Sequence, residues 1–573
     1  MVTTARIHIH DRNYSAWSFI DVDKNVELVL AENPALQQIN PLRQKCFSKD
    51  VFRVTDVAAE PVYSSVKMNE KIAGVVVLES NKTFGRTEKG RLLYKCIPDD
   101  VHLPFFLVPF DVKMGFSKIQ KNKYVVFTFD HWKNKHPQGV ITETIGDIDC
   151  IESFYEYQLY CKSLYVSIAD FTNKTREMLK QTSQEHFIDQ IRTNPRFRVE
   201  DYRDKYVFTI DPPNSVDFDD GFSVETCETE TVVTVYIANV FLWMETLGLW
   251  GSFSKRVATI YLPDRKRPML PTILSDTLCS LQENQDRFAF AMAIRVDNLT
   301  GQIIGKPQYT NAVISVSKNY TYDDPKFTYG GDINYKILFE LTAKLDKRVA
   351  CSHDVVSFWM IYMNKMTAEY LLKRNTGIFR ITVPAIFDGE TDSNIRGETL
   401  RAIQSWNNNS GKYVAFGENM SCQHDGMKTE YIHITSPIRR LVDLLNQMIL
   451  FRQLSMVSQM SKDAIDFLNH WLAQIDYINT TMRSIRKIQI DSFLLNRCFS
   501  EPGIVDAQYR GIVFDGIHKN DGMFHYMVYL EELKMLSRIV THIELTNLAF
   551  YSFKLFLFEN EDKTKKKIRL QIM

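Results

Sequence analysis

The chain has 573 residues, more than one hydrophobic core holds, so several domains are expected. Its 45% hydrophobic and 24% charged residues are those of an ordinary folded protein and exclude a disordered or collagen-like chain. The 69 basic and 69 acidic side chains balance to zero net charge, which excludes a coat protein held on nucleic acid by bulk charge but not a local basic channel. Nine cysteines without a CxxC pair predict a reduced protein lacking disulfides and structural zinc. The first residues, "MVTTARIHIHDRN", have no apolar signal-peptide core, so an intracellular location is expected, with the cytoplasm favoured over the nucleus.

Over the first ~170 residues, short strand-like runs alternate with turn signals: "KIAGVVVLES", "GRLLYKCI", "PFFLVPF", "KYVVFTF". That spacing predicts small β-barrels or sandwiches rather than βαβ units. Residues 171–200 read as a polar, helical connection. From about 201 to 500, strands mix with long helices. The stretch "TVVTVYIANVFLWMETLGLW" (231–250) is long enough to cross a bilayer, but Asn239 and Glu245 would be expensive in lipid. A buried strand followed by a helix is the expectation.

Residues 354–374 predict a buried helix with Asp354 as N-cap. Residues 436–456 predict another, announced by Ser436 as N-cap and Pro437 in its first turn. After Pro502-Gly503 strands return, and a final domain of ~70 residues fits an OB-type barrel. The run "KTKKKIR" (563–569) is expected to be a solvated or nucleic-acid-facing strand edge rather than a nuclear signal.

The segment "TIDPPNSVDFDDGF" (209–222) gathers Asp211, Asp217, Asp219 and Asp220. No basic residue lies between Lys205 and Lys255, while eight acids do. Asp217 and Asp219 fall on one side of an extended segment, Asp220 turns in at its end, and Pro212, Pro213 and Asn214 bend Asp211 back toward them. Crowded carboxylates cannot all stay ionised without a cation, and hard oxygen ligands suit Mg²⁺, with Mn²⁺ as a substitute. Three readings stay open on these residues alone. They are a solvated acidic turn, a DxDD proton donor of the terpene-cyclase kind, and metal-assisted phosphodiester chemistry in which two ions hold the attacking and leaving oxygens.

The third reading asks for an anion-binding group elsewhere. "TSPIRR" (435–440) places Arg439 and Arg440 in the first turn of the helix that Ser436 announces, where backbone N–H groups and arginine forks make a phosphate site. The alternative is that both arginines pair with acids, the aspartate cluster included. Residues 255–287 alternate basic residues, Arg256 among them, with Tyr261 and prolines, a positively charged wall on which a base can stack.

Four motifs, "TIDPPNSVDFDDGFSVE", "VYIANV", "ATIYLPDRKRPMLPTILSDTLCSL" and "YIHITSPIRR", occur in an order and spacing that resembles the catalytic domain of ribonuclease II, ribonuclease R and the exosome's catalytic exonuclease subunit. The flanks resemble those of the exosome-type members, and no PIN-type nuclease domain is expected to precede them. The resemblance implies a multidomain α+β fold. Residues 1–105 and 106–175 would form two cold-shock-type OB β-barrels, 176–501 a mixed α/β RNB catalytic domain, and 502–573 a C-terminal OB-fold RNA-binding domain. It further implies processive, Mg²⁺-dependent 3′→5′ hydrolysis of single-stranded RNA to nucleoside 5′-monophosphates, by a monomer able to associate with an RNA-decay complex and with no membrane partner.

By the same resemblance the four aspartates would hold metal around the scissile phosphate, with Asp219 the most critical. Arg439 would fix that phosphate, Tyr261 would stack on the 3′-terminal base, and Arg256 and Arg440 would contact RNA. Several positions depart from the family pattern: Gly221 replaces an alanine, Asn239 an aspartate and Gln447 a histidine. Ser357 and Phe358 stand where paired glutamates are usual, and a hairpin of roughly thirty residues is missing before "DVVSFWMIYMN". These losses bear on processivity and product length more than on bond breaking. The rival expectation is a catalytically weak or inactive relative that captures single-stranded RNA.

Overall fold

The structure, a computed structural model, describes residues 3–68, 70–111, 120–328, 331–382, 395, 397–417, 423–424, 429–519, 522–562 and 564–573. Residues 1–165, 262–264 and 487–573 form one compact unit, and residues 166–261 with 265–486 form a second.

In the first unit, period-2 patterning builds the opening strand Thr3–Ile9, which buries Ala5, Ile7 and Ile9 while the residues between them stay partly exposed. It pairs with Trp17–Asp21 and Val51–Val54 in an open four-stranded sheet. Five strands then close a barrel: Ile72–Val76, Leu93–Pro98, Phe106–Pro109, Lys123–His131 and Gln138–Asp147. The expected boundary between residues 105 and 106 falls inside this barrel, because Leu93–Pro98 and Phe106–Pro109 are hydrogen-bonded neighbours. Sheet and barrel share one hydrophobic core, in which the Phe47 ring lies 5.8 Å from Phe106 and 5.1 Å from Trp132. The C-terminal residues form a five-stranded antiparallel sheet over its own core.

The second unit is built on a six-stranded sheet. Its long strand Ile303–Thr321 runs antiparallel to Asp286–Asp297 and parallel to Val207–Asp211. Between them lie Asp220–Thr226 and Glu230–Ala238, rich in valine and buried. This mixed α/β unit between β-domains in the sequence gives the chain a multidomain α+β fold.

The apolar stretch at 231–250 is the expected strand, Glu230–Ala238, followed by the helix Val240–Thr246, and no helix among the described residues is long and apolar enough to cross a membrane. All eight described cysteines are free. The helix Ser352–Leu372 forms as expected, but Asp354 sits at its third position and accepts from the N–H of Cys351 (3.2 Å), the true N-cap. The helix expected at 436 begins only at Leu441. Arg440 is drawn into an extended conformation (φ −135°, ψ 125°) by a β-bridge to Ala258, so the residues before it form a separate turn.

Glu245 is tolerated in the core because donors surround it. Its carboxylate accepts from the Ser461 N–H (2.7 Å), the Ser461 hydroxyl (2.8 Å), the Trp250 indole (2.7 Å) and the Arg196 guanidinium. Breaking one side of a buried charge network leaves the other uncompensated. Glu245→Ala should therefore destabilise the chain by about 3–5 kcal/mol, and Glu245→Gln by less, both measurable by urea unfolding.

Candidate active site

The strand Val207–Asp211 ends on Asp211, whose carbonyl accepts from the Tyr322 N–H (3.1 Å). The chain then reverses at Pro212–Ser215, where Asn214 takes a left-handed φ of 66° and the Ser215 N–H reaches the Pro212 carbonyl (3.2 Å). It returns along Asp217–Asp220 and enters the strand Asp220–Thr226. Asp219 is pinned there by its carbonyl, which accepts from the Ala238 N–H (2.8 Å). The bend expected from the two prolines and Asn214 thus brings the four aspartates together.

Their partners differ. Asp219, 2% exposed, accepts from the Ile438 N–H (3.0 Å) at Oδ1 and from the Arg439 Nε (3.0 Å) at Oδ2. Asp217 accepts from the Tyr261 hydroxyl at Oδ2 and from the Lys266 Nζ at Oδ1, both at 3.1 Å. Asp211 and Asp220 each keep one buried oxygen, Oδ2, without a hydrogen bond. Burial pushes the carboxyl of Asp211 up to about 7, reinforced by the charge of Asp219. Burial likewise raises Asp219 to about 7, against the opposing pull of Arg439. Asp220 rises to about 8, through burial and then the charge of Asp211.

Arg439 lies in the turn 436–440, whose N–H groups at Arg439 and Arg440 bond back to the Ser436 carbonyl (3.2 and 3.0 Å). Its Nη2 donates to the Ser436 hydroxyl (3.1 Å), and 46% of its side chain remains exposed. Arg440 pairs instead with the buried Asp443 (2.9 Å). Arg256 spends its guanidinium on the carbonyls of Pro268 (2.7 Å) and Val166, which makes it a strut of the fold rather than an open cation. Tyr261 is tethered by its hydroxyl to Asp217.

Sequence reading missed Lys266, Asp276 and Asp443. Lys266 pairs across a two-stranded ribbon with Tyr261, and its Nζ also reaches Asp276 Oδ1 (2.9 Å). The signal for this pairing was the short "LPDR" link between the two residues, a two-strand turn read instead as part of a basic wall. The signal for Asp443 was its i+3 spacing from Arg440.

Among the described residues, no three His, Cys, Asp or Glu side chains converge as a ready metal cage. The residues nonetheless fit Mg²⁺, which takes one or two carboxylates and completes its shell with water and phosphate. Asp211 and Asp220, with unpartnered buried oxygens and mutual repulsion, are the pair that would hold it.

Residues 199–336 match the family description "RNB domain". The chain is 26% identical over 243 residues to the DIS3-like exonuclease 2 of Schizosaccharomyces pombe, a match covering 40% of this chain and 25% of that relative. Such matches to the most similar curated relatives thus span about a quarter of those proteins' length. In fold, the chain resembles the ribonuclease R of Mycoplasma genitalium solved with ribose-methylated single-stranded RNA, at a TM-score of 0.67 and 16% identity, covering 99% of this chain and all of that one. It also resembles the yeast pseudonuclease Ssd1, at a TM-score of 0.57 and 14% identity over 96% of this chain and 80% of that one.

The raised carboxyls set a pH dependence. An acid whose folded-state value lies above its unfolded one is neutral at no penalty at low pH and weakens the fold as pH rises through the interval between them. In EDTA, stability should fall from about pH 4 to about pH 8. Asp220→Asn should remove part of that loss, raising stability at pH 8.5 by on the order of 2 kcal/mol and little at pH 4.5, as read by thermal melts.

Proposed function

We propose that this chain, whose residues 199–336 match the RNB domain, is a Mg²⁺-dependent exoribonuclease that shortens single-stranded RNA from the 3′ end and releases nucleoside 5′-monophosphates. The observation that carries this reading is the pair of buried carboxylate oxygens without a hydrogen bond, Asp211 Oδ2 and Asp220 Oδ2, set beside the Asp219–Arg439 ion pair. A protein that only captured RNA would gain by losing carboxylates that repel phosphate. Retention of four, two of them unsatisfied, favours chemistry over capture.

The chain's own residues have distinct tasks in this reading. Asp211 and Asp220 hold the cation, which when bound neutralises charge building on the phosphoryl oxygens and lowers the barrier to attack by water. Asp219 aims Arg439, whose Nη1 is uncommitted among the described residues and is free to bind a non-bridging phosphate oxygen. Tyr261, its hydroxyl held by Asp217, is the aromatic side chain that would stack on the 3′-terminal base. Arg440 and Arg256, committed to Asp443 and to backbone carbonyls, shape the site rather than touch RNA.

The alternative, a weakly active or inactive RNA-binding relative, is favoured by one finding, the likeness in fold to a pseudonuclease. A 5′-labelled single-stranded RNA decides between them. With Mg²⁺ the wild-type chain should give a ladder shortening from the 3′ end. EDTA should abolish it, and Asp219→Asn, which frees Arg439, should slow it on the order of 100-fold or more. Tyr261→Ala should lengthen the final product. Tight binding with no shortening in any condition would establish the alternative.

A further inference from the structure

Lys266 places a fixed positive charge inside the aspartate site. Its Nζ donates to Asp217 Oδ1 (3.1 Å) and to Asp276 Oδ1 (2.9 Å), and its side chain is 23% exposed. Asp276 is itself held by the Ser275 hydroxyl (2.6 Å), and its carbonyl accepts from the Gln282 side chain. The backbone register places Lys266 opposite Tyr261, so adjacent members of one ribbon occupy the two oxygens of one carboxylate. An ammonium has three N–H donors. The third is uncommitted among the described residues.

Phosphodiester hydrolysis by two ions would need a second cation among these aspartates, and the Lys266 ammonium already occupies one oxygen of Asp217. With every group ionised, Asp211, Asp217, Asp219, Asp220 and Asp276 stand against Lys266 and Arg439, a formal excess of three negative charges, since Arg440, which also acts on Asp220, is neutralised by Asp443. One divalent ion brings the excess to one. A second would turn the site positive and would have to displace Lys266 from both of its carboxylates. Without Lys266 the excess becomes four, the charge that two divalent ions cancel.

We propose that Lys266 is a positioning residue that stands in for a second metal ion, fixing Asp217 and holding the site to a single divalent cation at Asp211 and Asp220. This rests on the reading of the site as a metal-dependent nuclease, but its central consequence, the number of ions bound, is measurable without RNA. Arginine can replace Lys266 as a charge, whereas methionine keeps the stem and removes the cation.

The test is a titration of the full chain with Mn²⁺ at pH 8.5, in which free Mn²⁺ is followed by electron paramagnetic resonance. Wild type should bind one ion, Lys266→Arg one and Lys266→Met two. In parallel, the Mn²⁺ dependence of RNA shortening should change from hyperbolic in wild type to sigmoidal in Lys266→Met. A wild-type count other than one overturns the proposal, whatever the variants do. A count unchanged in a folded Lys266→Met, or in Lys266→Gln where the methionine variant fails to fold by circular dichroism, overturns it as well. A chain that shortens no RNA yet moves from one ion to two upholds this inference while the nuclease reading fails. A chain that shortens RNA with unchanged counts does the reverse.

Discussion

The arrangement of the site depends on the carboxylate of Asp219. One oxygen takes the N–H of Ile438 and the other the Nε of Arg439, so a single buried side chain fixes both the backbone of a turn and the direction of its arginine. A carboxylate at 2% exposure is stable only when its lone pairs are met by donors, which makes the bond strongly geometric. Each end is also held independently. The Asp219 carbonyl accepts from Ala238, while the Arg439 carbonyl accepts from Thr259 (3.0 Å) and the Val257 carbonyl from Leu441 (2.9 Å). Two segments more than two hundred residues apart are therefore brought into register by backbone bonds, and the ion pair forms between groups already in place.

The aspartates themselves are unevenly satisfied. Asp217 and Asp219 are furnished with protein donors, whereas Asp211 and Asp220 keep bare buried oxygens and hold their protons up to about 7 and about 8. A solvated acidic turn would show none of this burial. A proton donor of the terpene-cyclase kind would need one acid facing an apolar cavity, not an arginine and a lysine in the same cluster. Cations of the protein stand on one side of the cluster and unsatisfied carboxylate oxygens on the other, the polarity that the proposed function requires.

Much of this was legible from local rules. Period-2 alternation marks Thr3–Ile9, and the Pro212-Pro213-Asn214 bend with the spacing of Asp217 and Asp219 anticipates the cluster. The unread parts are non-local. Arg439 and Arg440 looked like first-turn helix residues because Ser436-Pro437 is a strong helix start, yet a bridge to Ala258 delays the helix to Leu441. Arg256 looked like an open cation because nothing in its neighbourhood shows that the carbonyls of Pro268 and Val166 will take its donors. The break at residue 105 came from the resemblance, while the hydrogen bonds of a barrel run across it.

The departures from the family pattern sit close to this framework and yet leave it intact. Asn239 is fully buried, caps the helix Val240–Thr246 by accepting from Leu242 (3.3 Å), and donates to Asn311 Oδ1 (3.0 Å). A carboxylate could cap that helix but could not make the second bond, so the amide here answers to Asn311 rather than to the site. Gln447 reaches the Ala238 carbonyl (3.3 Å), the residue whose N–H holds Asp219. At Gly221 an added Cβ would lie 3.2 Å from the Phe208 carbonyl, a close fit that glycine avoids between two strands. Asn239 is met by backbone and by another amide, whereas Gln447 places its amide N–H on backbone and keeps its buried Oε1 without a hydrogen bond. The backbone bonds that hold Asp219 and Arg439, from the N–H groups of Ala238 and Thr259, are left in place by all three.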